Sequence, residues 1–152
     1  MYFWRIEKLK TEMAVRPLSE REVLPYLVVF VGLFAAVGYI PQSMTNIWDG
    51  LGAVWSFGLT VLGTLYLYRQ NGGASGQHFL QRYLAISWVI TIRGLVVLIL
   101  AAVAFFTLMT LFVSAQEETT WYEFLFFAAV ETVVYWRIGH HVRDLAQKTR
   151  VV

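Results

Sequence analysis

Two ionisable residues sit inside long apolar runs: Arg93 within residues 83–113 and Glu131 within residues 121–139. A charge at the centre of a membrane helix costs about 2.5–3.5 kcal/mol on insertion scales. Such a residue therefore faces a bundle interior, a water-filled path or an opposite charge. Arg82 stands eleven residues before Arg93 and Thr107 fourteen after it, close to whole helical turns, so the three share a face. Tyr135 lies one turn beyond Glu131. Counted from the basic ends of their runs, Arg93 is about 15 Å deep and Glu131 about 12 Å. These depths agree within one turn. They predict an Arg93–Glu131 pair across sequential antiparallel helices, within one subunit or between two. Such a pair serves either as part of an ion or proton pathway or as a polar clamp.

Other chemistries find no constellation. The chain has no cysteine, which excludes disulfides, thiolate catalysis, iron–sulfur clusters and cysteine-bound zinc. Its histidines, His78, His140 and His141, lie outside the apolar runs. His140 and His141 are adjacent and diverge by about 100° on a helix, so they do not chelate together. Ser56, Ser87 and Ser114 have no histidine near them in the runs, and there is no Gly-x-Ser-x-Gly elbow. An intramembrane aspartyl site needs two deep carboxylates, whereas Glu123 sits near the end of its run. The glycine-rich stretch 70–77 lacks the Gly-Lys-Ser/Thr ending of a phosphate loop. The expectation is a protein that is not an enzyme and has neither cofactor nor metal.

The elements that must position Arg93 and Glu131 follow from composition. The chain has 152 residues, 58% hydrophobic and 14% charged, against about 45–50% and 25% in soluble domains. That shift points to a membrane protein. A net charge of +2 is too small to imply nucleic acid. Four runs approach the roughly 20 residues needed to cross a bilayer: 23–40, 51–68, 83–113 and 121–139. Basic residues crowd the segment before the first run, flank the second connection and fill the tail. The connections 41–50 and 114–120 hold none and carry Asp49, Glu117 and Glu118. This alternation obeys the positive-inside bias. The predicted fold is all-α: an integral four-helix membrane bundle over 23–139, both termini cytoplasmic, with a basic tail at 140–152. The expected location is a bacterial-type inner (plasma) membrane.

Local patterns add detail. In residues 1–22, Phe3, Ile6, Leu9 and Met13 fall on one helical face. That short amphipathic helix lies on the cytoplasmic leaflet, or packs on this protein or a partner. Ser19 and Glu22 fit a capping box, with Leu18 stapling onto Val23. Pro25 falls inside the helix that follows and predicts a kink. Gly52, Ser56, Thr60 and Thr64 form a small-residue stripe, with Gly32 and Ala36 as its expected partner surface. The functional expectation is a small membrane protein acting as a homo-oligomer or with an unidentified protein partner. An oligomeric channel or transporter using Arg93 and Glu131 is the alternative.

Overall fold

The computed structural model describes residues 4–38, 46–112 and 118–150. Phe3, Ser114, Glu117 and the Ala36 side chain, named above, lie outside the described residues. All regular structure described is helical: α1 (Ile6–Val15), α2 (Glu20–Gly38), α3 (Ile47–Gln70), α4 (Phe79–Phe112) and α5 (Trp121–Arg150). A 3-10 turn at Gly73–Ser75 joins α3 to α4.

Side chains start these helices where the backbone has orphan donors. The Glu22 carboxylate accepts from both the backbone N–H and the hydroxyl of Ser19 at 2.8 Å. Arg16 grips the same carboxylate and holds it well below the usual range. Asn46 caps α3 by accepting from the Trp48 and Asp49 amides, and its own amide reaches the Thr119 carbonyl at 2.7 Å. Thr120 and Glu123 form the corresponding start of α5. Glu123 is thus a capping residue. α2 runs through Pro25 as one helix.

Contacts define the directions. Asn46 meets Thr119, Ser56 meets Glu131, and Gly63 lies against Tyr135. The partner numbers rise together, so α3 and α5 run parallel. On α4, Gly94 faces Val134 and Phe105 stacks on Phe126 at 4.5 Å, so α4 is antiparallel to both. α2 packs on α4, with Phe30 edge-on to Trp88 at 6.2 Å. Among the described residues, the packing seen for α2 is against α4 and that for α3 is against α5. A side chain at Gly32 would meet open space, and of the small stripe Ser56 reaches α5.

The buried core gathers at one end. Ile6, Leu9 and Met13 of α1 pack among Ile86 and Val89 of α4 and Val142 and Leu145 of α5. Three residues of the apolar face of α1 are therefore buried within this protein. Beyond this head the faces are apolar and open. Exposed aliphatic residues run on α3 from Ile47 to Leu65 and on α4 from Leu95 to Leu111. These lengths are about 27 Å and 24 Å at the helical rise. Among the described residues two helices, α3 and α4, are long and apolar enough to cross a membrane, and almost none of either apolar window is buried within the protein.

Candidate functional site

Glu131 projects from α5 toward α3, where the Ser56 hydroxyl lies 2.8 and 2.9 Å from its two oxygens. One hydroxyl hydrogen serves both oxygens. Arg93 faces elsewhere: its guanidinium lies 5.5 Å from the ring centroid of Trp4, just ahead of α1. Among the described residues Arg93 makes no ion pair, so the expected Arg93–Glu131 pair is not formed within the chain. The reason is both axial and rotational. The Gly94–Val134 and Phe105–Phe126 contacts set Glu131 a turn or more deeper than Arg93, and α5 turns Glu131 to α3 while Arg93 faces Trp4.

Arg82, expected on the same face as Arg93, belongs to a separate joint. It is buried at 3% exposure and donates to Asn71 Oδ1 at 3.0 Å and Thr149 Oγ1 at 2.9 Å. Asn71 in turn donates to the Gln77 carbonyl. A side chain at Gly76 would collide with Asn71, so the turn needs glycine there. Arg82 thereby ties the α3–α4 turn to the end of α5. Thr107 is exposed and takes no part in either site.

The small-residue stripe is divided by its contacts. Ser56 serves Glu131, and Thr60 bonds the Ser56 carbonyl of its own helix at 2.8 Å. Thr64 and Tyr135 both lie close to the Tyr83 hydroxyl. Gly52 has open space where a side chain would go. The close approach occurs instead at Gly63, under the Tyr135 ring, and at Gly139, under the Tyr66 ring. These two glycines face opposite ways across one parallel interface, and each receives the other helix's tyrosine. A four-residue sequence pattern on one helix does not reveal that reciprocity.

A third cluster joins α1 to α5. Lys10, only 3% exposed, contacts Glu7 at 2.7 Å, Asp144 at 3.6 Å and His141 Nδ1 at 3.4 Å. Burial, then Lys10 and Arg137, push the His141 imidazole down to about 4. His140 bonds Asp144 and Arg143 instead. No group of three metal-ligating side chains occurs among the described residues.

A groove of about 700 Å³ opens between α4 and α5. Trp4, Arg93 and Arg137 line it, and its remaining walls are apolar. Sequence inspection missed Trp4, Lys10, Gly63, Gly139 and Arg137 as site residues. Trp4 and Lys10 carried a signal, since an aromatic and a lysine bracket the apolar face of α1. No family model, curated protein or solved structure matches the chain.

Proposed function

We propose that the chain is a non-enzymatic membrane protein that spans the bilayer four times with both termini cytoplasmic. It works as an oligomer or as the membrane subunit of a larger complex. The observation that carries this reading is the division of the molecule into a packed polar head and an open apolar belt. The belt on α3 and α4 approaches the roughly 30 Å of a hydrocarbon core. The head gathers Lys10, Arg16, Arg82 and Arg143, whereas Asp49, Glu118 and Glu123 cap the opposite end. That polarity supports a cytoplasmic head. A shallow apolar groove along Leu51, Val54, Gly58 and Leu62 supports contact with a further helix. Extraction in mild detergent, followed by native mass determination, tests the reading. A homo-oligomer or a defined complex is expected; a detergent-free soluble monomer refutes it.

A second reading, a proton or ion pathway, draws on the polar residues between α3, α4 and α5. Glu131 with Ser56 and, one turn on, Tyr135 with Thr64 and Tyr83 follow one another along that interface. Arg93 stands apart from it. Flux in liposomes that falls in Glu131→Gln but not in Arg93→Gln would favour this pathway. Absence of flux would leave the subunit reading.

A further inference from the structure

We propose that the groove between α4 and α5 binds one anionic phospholipid of the cytoplasmic leaflet. Its phosphate sits at Arg93 and Arg137, and one acyl chain lies along the apolar walls. This rests on the reading of the chain as membrane-embedded.

Both arginines line the same end of the groove. Gly94 faces Val134 across the α4–α5 interface, and antiparallel packing then sets Arg137 opposite Arg93. Among the described residues neither has a carboxylate partner, and no acidic side chain lines the groove. Glu131, the nearest carboxylate along α5, is turned to Ser56 on α3. The Trp4 ring lies within cation–π reach of the Arg93 guanidinium, an attraction that leaves its N–H groups able to donate to oxygen ligands. Arginine forks match phosphate in this way, and two of them define an anion-binding mouth.

The rest of the groove fixes the occupant as an amphiphile. From Arg137 to Phe126, eleven residues or about 16 Å of α5, the walls offer Val130 and Val133, facing Val97 and Ala101 of α4. Inorganic phosphate would leave this wall bare. A lipid without net charge would leave two cations uncompensated. The mouth also lies at the right level. On α4, residues 85–90 are buried in the head and the open aliphatic run begins at Leu95, so Arg93 falls at the boundary. Exposed Trp4 and Trp136 mark the same boundary, as interfacial aromatics do.

The test uses the full chain in nanodiscs of phosphatidylcholine containing a minor fraction of phosphatidylglycerol. Native mass spectrometry of the released protein should show one retained phosphatidylglycerol. Arg93→Gln and Arg137→Gln should each lower its occupancy about tenfold, the loss of one charge-assisted contact. Arg143→Gln, which lies outside the groove, should retain it. Ala101→Trp keeps both charges and fills the apolar wall, and it too should release the lipid. Equal retention of both lipids overturns the proposal, as does equal loss in Arg143→Gln. Displacement by inorganic phosphate would show that the headgroup alone binds and would also overturn it. A chain that stays in alkali-washed membranes but holds no anionic lipid refutes this site alone. A chain that leaves those membranes refutes the membrane reading itself.

Discussion

Ser56 donates to the Glu131 carboxylate across the part-buried interface of α3 and α5, between their caps and Tyr135. Losing the hydroxyl leaves a carboxylate in a low-dielectric interface without its donor, at a cost of about 1–3 kcal/mol. Ser56→Ala and Glu131→Ala should therefore be non-additive in thermal unfolding in detergent. Exchanging Arg93 and Glu131 should bring no rescue, because these residues face different helices. Recovery in the exchanged double variant would restore the pair that depth matching suggests. Gly63 gives a second contrast. Any Cβ there meets the Tyr135 ring, whereas Gly52 opens onto free space. Gly63→Ala should destabilise the α3–α5 interface by about 1–3 kcal/mol. Gly52→Ala should leave the melting temperature unchanged in the detergent-extracted monomer.

The contact of α1 with α5 carries a pH dependence. Its apolar face is buried, yet its link to α5 runs through Lys10, Asp144 and His141. In the folded chain His141 stays neutral down to about pH 4, held there by burial and by Lys10 and Arg137. In the unfolded chain it takes up its proton near 6.5. Between these values the unfolded state binds more protons, so stability falls as pH drops from about 6.5 toward 4. Protection factors of the Leu9 and Met13 amides, referenced to the intrinsic exchange rate at each pH, should fall across that window. His141→Gln should flatten the response. An unchanged slope in that variant would assign the effect to another group. Leu9→Ala should loosen α1 at any pH, by about 2–4 kcal/mol.

Taken whole, the molecule has one basic, packed end and one end of caps. Parallel α3 and α5 with antiparallel α4 bring the turn at 71–78, α1 and the end of α5 together. Topology reporters fused after residues 74 and 150 should read cytoplasmic. Fusions after 45 and 117 should read extracytoplasmic. A cytoplasmic signal at 117 would remove α5 as a span and leave it packed on the head.

Composition and run length were enough to indicate helices, since apolar stretches near 20 residues have few other ways to satisfy their backbone. The Ser19–Glu22 start of α2 was equally legible, because capping is a local matter of side chains reaching amides three residues away. The amphipathic face of α1 was legible too, but not what covered it. A hydrophobic stripe states how much surface seeks burial and leaves the partner open. Only the tertiary structure turned Glu131 to Ser56, set Arg93 over Trp4 beside Arg137, and moved the close approach from Gly52 to Gly63 and Gly139. Those choices depend on the rotation of each helix about its axis and on which neighbour it packs against. Rotation is settled by the summed fit of many side chains from distant parts of the chain, and no spacing within a single helix encodes it.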